Sequence, residues 1–337
     1  MERSALTEWI PCPLCRGRSF RKYVVKFGLS IVRCEACGLI HTNPRLAESE
    51  VNLRYGASYF FNEYLPIFQA GPGSFSLETV QGHYRLYLDL LAALDSPGKR
   101  LLDIGCGAGF FLKAAASSGW EAGGTEISEV GAEYARTVTE VPVSRGKLED
   151  LKMPAQDYDV VTMLDLLEHL FEPLSTLREV HRIMKTGAVL IISTPDVQSL
   201  SRRFLGPAWA VLSPAEHQCY FSAKTLSRAL RQTGFQLIGL QNLLNFNPDY
   251  THQPGSIRHR FWKACSRRLE RTTLMQRIHR REHMDLCLSI KGRDSAPTFT
   301  GALTVKRKIC VAAKAWLRGD ILVALAEKAQ VSEKSSL

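Results

Sequence analysis

The sequence predicts an α/β chain: an open, mostly parallel sheet covered by helices, with a small zinc ribbon in front of it. Three observations carry this. A glycine-rich turn, Asp103-Ile104-Gly105-Cys106-Gly107-Ala108-Gly109, joins the apolar pair Leu101-Leu102 to the helical run Phe110–Ala116. Strand-like and helical segments then alternate as far as Leu240, the mark of stacked βαβ units. Two C-x-x-C pairs, Cys12/Cys15 and Cys34/Cys37, precede all of this.

Composition sets the outer bounds. The chain has 337 residues, 45% of them hydrophobic, enough for a sizeable core in one large or two ordinary domains. Neither a secretory leader nor an apolar run of membrane-spanning length is visible, so a cytoplasmic location is expected. Four of nine cysteines fall in the two pairs and the other five are scattered, which favours metal over disulfides. The net charge of +10 is concentrated: residues 251–318 hold 16 Lys and Arg against 4 Asp and Glu. Overall basicity therefore says nothing of a nucleic-acid-binding surface elsewhere.

In chain order, Cys12, Cys15, Cys34 and Cys37 are expected to hold one structural Zn2+, with a hairpin between the knuckles and no coordination position left open for catalysis. His41 reads as a strand residue. The aromatic-rich stretch from Tyr55 to Phe68 is expected to pack the ribbon onto the next domain, and Ala70-Gly71-Pro72-Gly73-Ser74 to serve as a linker. Val80, Tyr84, Tyr87, Leu88, Leu91 and Leu94 recur at helical spacing ahead of Ser96-Pro97-Gly98. The expected boundaries are a ribbon over 1–45, a connector over 46–79 and a catalytic domain over 80–330, with a basic helical insertion at about 250–318.

The first strand ends at Asp103, and glycines after it let backbone approach a ligand at the carboxyl edge of the sheet. A second strand, Trp120–Thr125, ends in Glu126, placed to accept both hydroxyls of a ribose. Val141–Val143 forms a short third strand and Tyr158–Leu164 a fourth, apolar as a strand covered on both faces should be. Pro173 opens a helix stopped near Thr186-Gly187, Ala188–Pro195 forms a fifth strand, and a helix from Ser222 to Gly234 leads to a sixth at Phe235–Leu240.

The turn is D-x-G-x-G-x-G, with the acid ahead of the glycines, and not the dinucleotide pattern. Together with Asp165-Leu166-Leu167-Glu168-His169-Leu170, His181–Ala188 and Glu216-His217-Gln218-Cys219-Tyr220-Phe221-Ser222, it resembles the class I S-adenosylmethionine-dependent methyltransferases, in particular ubiquinone biosynthesis O-methyltransferases, over about residues 80–241. The resemblance implies a Rossmann-like, seven-stranded, mostly parallel sheet of order 3-2-1-4-5-7-6. Its antiparallel seventh strand is expected at Gly319–Lys328, in preference to Asp285–Ile290. It also implies S-adenosylmethionine as cofactor, held by Asp103, Gly105, Gly107, Glu126, Leu148, Glu149 and Met163.

Methyl transfer is an in-line displacement from a sulfonium, so the protein supplies alignment and removal of a proton. His169 and His217 are the expected bases, and Asp165 a substrate contact, all at the carboxyl edge of the sheet. The expected acceptor is an oxygen on a small molecule, quinone or glycan or lipid-linked precursor. RNA is the alternative substrate, and a cofactor-binding scaffold without turnover is the alternative of another class. The basic insertion fits a solvated face, an anionic membrane surface or phosphates, so peripheral membrane contact stays open.

Overall fold

The computed structural model describes residues 6–94, 96, 98–243 and 321–328. Seven strands form the main sheet: β1 (Arg100–Ile104), β2 (Glu121–Glu126), β3 (Val143–Arg145), β4 (Tyr158–Leu164), β5 (Met184–Pro195), β6 (Phe235–Leu243) and β7 (Ile321–Lys328). Their order is β3-β2-β1-β4-β5-β7-β6, as expected. β7 runs antiparallel to both neighbours, with Ile191 opposite Leu325 and Ala326 opposite Leu237. The central strands are apolar because both faces are covered: Val160, Val161, Leu190, Ile191, Ile192, Val323 and Leu325 are fully buried. Each such side chain contributes about 1.5–3 kcal/mol by leaving water.

Local departures from the expected elements have identifiable causes. β3 begins at Val143, because Pro142 has no N–H to give to a ladder. β5 begins four residues early, at Met184, and its register against β4 shifts before Val189, around Gly187 in the left-handed region (φ 77°). The single helix expected before β1 is two, Leu77–His83 and Arg85–Ala93, broken at Tyr84. The break lets Val80 pack beside Phe68 and Phe110 while Leu90 and Leu91 pack beside Phe111 and Leu101.

The ribbon is a second sheet. Phe20–Lys26 and Leu29–Cys34 make the expected hairpin, turning at Phe27-Gly28 with both residues at positive φ, and Ile40–Thr42 adds a third strand. A fourth strand comes from far along the chain: Cys219–Tyr220 pairs with Ile40–His41. His41 is a strand residue, as expected, and is buried against Phe20. Ribbon residues Leu14, Cys34 and Leu39 share one apolar cluster with Ile104, Met163 and Phe221 of the main domain.

Residues 46–79 do not mainly seat the ribbon. Phe60, Leu65 and Phe68 pack on Ala108, Phe110 and Tyr134, that is, on the first strand-turn-helix of the main sheet. Nor is 70–74 a free linker, since the Tyr134 hydroxyl donates to the Gly71 carbonyl (2.8 Å). Among the described residues no helix is long and apolar enough to cross a membrane. The expected basic insertion at 250–318, its two helices and the rejected strand 285–290 lie outside the described residues.

Candidate active site and metal centre

The four ribbon cysteines converge. The Cys12 and Cys37 sulfurs lie 3.5 Å apart, as do those of Cys15 and Cys34, and all four fall within 4.8 Å of one another. A tetrahedral zinc with bonds of about 2.3 Å requires edges of about 3.8 Å, so the donor set fits that ion. The two knuckles are near copies: Arg16 N–H donates to Cys12 and Gly38 N–H to Cys34, each acceptor being the carbonyl and each distance 2.9 Å, with Arg16 and Gly38 both at positive φ. The Leu39 amide donates to the Cys37 sulfur (3.5 Å), a bond that favours thiolate. With four cysteines and no further donor in the group, any metal here is structural.

At the carboxyl edge of the main sheet, β1, β2 and β4 deliver carboxyl groups to one region. Asp103, the penultimate residue of β1, is almost fully buried, its Oδ1 accepting from the Thr162 hydroxyl (2.5 Å). Burial, with a smaller push from Glu126, raises its carboxyl from an ordinary 3.8 to about 7. Glu126 ends β2; its Oε2 accepts from the Gly107 amide (2.9 Å) and its Oε1 from the Ser128 amide (2.7 Å). Burial raises it too, against the opposing pull of those amides. Glu168, beyond β4, is raised to about 8 by burial and by Asp165, and accepts from the Thr194 hydroxyl (2.8 Å). Asp165 sits in the left-handed region (φ 50°), open to solvent on one side and crowded by protein on the others, which raises its carboxyl.

None of these four carboxyls is in an ion pair among the described residues. A site that holds buried acids without a counter-charge favours a cationic ligand. S-adenosylmethionine, with a sulfonium and an ammonium, meets that requirement, and Asp103, Glu126 and the turn between them are the residues that would hold it. Ile127, 44% exposed directly after Glu126, offers an apolar surface for a flat base and was not singled out from sequence.

Raised acids also carry a stability signature. A folded carboxyl raised from 3.8 to about 7 gives stability that is full below pH 4 and lost as pH rises through 7. Asp103→Asn is therefore expected to stabilise the ligand-free protein at pH 8 by up to roughly 4 kcal/mol, at about 1.4 kcal/mol per unit. It should also flatten the change in urea midpoint between pH 5 and pH 8; a midpoint at pH 8 that falls would contradict the assignment.

The remaining expected cofactor residues are placed differently. Gly105 and Gly107 have positive φ, but the space beside them holds side chains: Leu166 Cδ1 would lie 2.8 Å from a Cβ at Gly105, and the Tyr64 hydroxyl abuts Gly107. That hydroxyl also accepts from the Ala108 amide (3.3 Å). Leu148 and Met163 are buried with Leu102 and Ile104 in one apolar cluster. Glu149 accepts from the Thr176 hydroxyl (2.6 Å), which ties it to the helix Pro173–Ile183.

The structure brings His169 and His217 together, with ring centroids 4.6 Å apart and edge to face. It also distinguishes them. His169 Nδ1 is bonded to the Tyr55 hydroxyl (3.0 Å). His217 Nδ1 bonds the Val211 carbonyl (2.7 Å), which makes Nδ1 the protonated nitrogen and leaves Nε2 with a lone pair. Burial lowers both imidazoles, and His217 further lowers His169, so both are neutral near pH 7.

The cover over this edge is residues 46–79, whose part was illegible in sequence beyond its aromatic content. Besides Tyr55 and Tyr64, Arg54 pairs with Glu216, Glu48 pairs with Lys147 (2.6 Å), and the Ser128 hydroxyl donates to the Tyr55 carbonyl (2.8 Å).

The chain is similar to known methyltransferases. Residues 77–240 match the family model of a methyltransferase domain. The chain is 26% identical to the ubiquinone biosynthesis O-methyltransferase of Azoarcus sp. (strain BH72), over 56% of this chain and 80% of that protein. It is 36% identical to the protein of the same name from Hahella chejuensis, over 32% of this chain and 47% of the relative. The Ruegeria pomeroyi protein of that name is 30% identical over 45% of this chain and 65% of its own length, so the latter two are matched over less than two thirds. A solved methyltransferase from Archaeoglobus fulgidus is 20% identical, with a TM-score of 0.47 over 79% of this chain and all of that one. Residues 77–240 therefore form a methyltransferase domain, similar to the class I S-adenosylmethionine-dependent methyltransferases.

Proposed function

We propose that the protein transfers the methyl group of S-adenosylmethionine to an oxygen of a small molecule, with His217 as general base and a structural zinc in the ribbon. The observation that carries the cofactor is the set of unpaired carboxyls around Asp103 and Glu126. Names of the curated relatives favour oxygen as the acceptor atom. The bound cofactor supplies an electrophilic methyl; this chain aligns the acceptor and takes its proton. His217 is suited to that because the Val211 carbonyl fixes Nδ1–H and so presents Nε2 as an acceptor. The Tyr55 hydroxyl engages His169 Nδ1, which suits His169 to a positioning role beside His217.

Titration calorimetry with S-adenosylmethionine and with NAD separates the cofactor classes; absence of binding by the former removes the proposal. Label from methyl-tritiated cofactor in a fractionated cell extract should enter small metabolites, and label confined to RNA would assign the alternative substrate. His217→Asn is expected to lower kcat by about 100- to 10,000-fold with cofactor affinity retained. Because burial holds His217 below its ordinary 6.5, the wild-type rate should fall only as pH drops below that value, and a limb above pH 7 would point to another base.

A further inference from the structure

A cleft of about 500 Å3 lies between the ribbon and the first turn of the helix Ala223–Gln232. Its ribbon wall carries Arg21 and Arg33 and the knuckle residues 34–38; its other wall carries Ser222, Lys224 and Thr225. None of Asp103, Glu126, His169 or His217 lines it.

The cleft brings like charges together. Arg21 and Arg33 are direct partners on neighbouring antiparallel strands, so both side chains project from the same face. Like charges directly opposite destabilise a hairpin. Lys224 adds a third cation from the facing wall, and Glu35 is the one acid lining the space. No ion pair engages Arg21, Arg33, Lys224 or Glu35 among the described residues, although ion pairs are frequent elsewhere in the chain. All three cations are exposed, while Ser222 and Thr225 are buried and bonded to each other, giving a rigid floor. A volume of this size is that of a small-molecule site. Paired guanidiniums with a facing ammonium match the oxygens of a phosphate or diphosphate group.

We propose that this cleft binds the phosphate or diphosphate group of the acceptor, so that the ribbon selects the substrate. The proposal rests on the small-molecule reading of the acceptor, and its test has a readout independent of methyl transfer. Inorganic pyrophosphate should bind the full chain in calorimetry, and binding should weaken at least tenfold in Arg33→Gln and be lost in the pair Arg21→Gln and Arg33→Gln. Arg33→Lys, which keeps the charge without the planar fork, should retain only part of it. Unchanged zinc content, thermal midpoint and S-adenosylmethionine affinity in these variants show that the fold and the cofactor site are intact. Equal pyrophosphate binding by wild type and the double variant, or none by wild type, overturns the proposal.

Two further arms identify the source of the phosphate. Pyrophosphate should inhibit transfer of label into the phosphorylated fraction of a cell extract. Binding at Arg33 that leaves labelling unaltered would make the ligand a free anion and overturn the acceptor assignment. An RNA oligomer that displaces pyrophosphate at far lower concentration would likewise overturn it in favour of RNA. Loss of cofactor binding in wild type would instead count against methyl transfer alone, since pyrophosphate binding is read without it.

Discussion

Purified protein is expected to contain one zinc per chain, and Cys34→Ala is expected to lose it together with the fold of the ribbon. Cys12 and Cys34 are almost wholly buried, and the knuckles have little apolar mass beyond Leu14 and Leu39. A unit this small draws its folding free energy from the metal, on the order of 10 kcal/mol or more for zinc modules of this kind. The damage should spread in one direction. Ile40–His41 pairs with Cys219–Tyr220, two residues beyond His217, so the loop that presents His217 loses its neighbouring strand. Asp103 and Glu126 lie on β1 and β2, whose ladder does not involve the ribbon. Methyl transfer should therefore fall by at least 100-fold while S-adenosylmethionine binding changes by less than about tenfold. Metal analysis, proteolysis of the first 45 residues and calorimetry check the three parts. Wild-type protein free of zinc, or a variant that keeps it, refutes the assignment.

The coupling of ribbon to catalytic edge marks the limit of what sequence patterns convey. Local signals were legible: the knuckles, the glycine turn after Asp103, the acid closing β2 and the continuous apolar run of β4 each depend on residues within a few positions. The position of β7 was legible as well, through a resemblance to a family that needs an antiparallel strand there. Contacts between distant segments were not. Nothing near Cys219–Tyr220 announces that it will complete a ribbon nearly 180 residues upstream, and nothing in Tyr55 announces a bond to His169. Met163 shows what strand alternation adds. On a strand with side chains alternating between faces, Thr162 turns to Asp103 and Met163 falls into the core.

Glu126→Gln is expected to weaken S-adenosylmethionine binding by about 10- to 100-fold, with kcat at saturating cofactor little changed. Each carboxylate oxygen of Glu126 accepts one backbone amide, from Gly107 and from Ser128. Each therefore keeps a lone pair for one ribose hydroxyl, and the two amides hold the carboxylate where it can meet both. Glutamine keeps the shape but replaces one acceptor by a donor, which would face an amide N–H or a hydroxyl. Hydrogen bonds to a charged acceptor contribute about 1.5–3 kcal/mol each, and loss of one accounts for the expected range. The ribose does not react, so the loss falls equally on ground and transition states and appears in KM for the cofactor. Glu126→Asp keeps the charge one methylene short and should recover only part of the affinity. Calorimetry on both variants, beside thermal melts without ligand, separates binding from folding. Unchanged affinity in Glu126→Gln would mean that the ribose is held elsewhere, and that the buried charge of Glu126 serves only to fix the turn at Gly107.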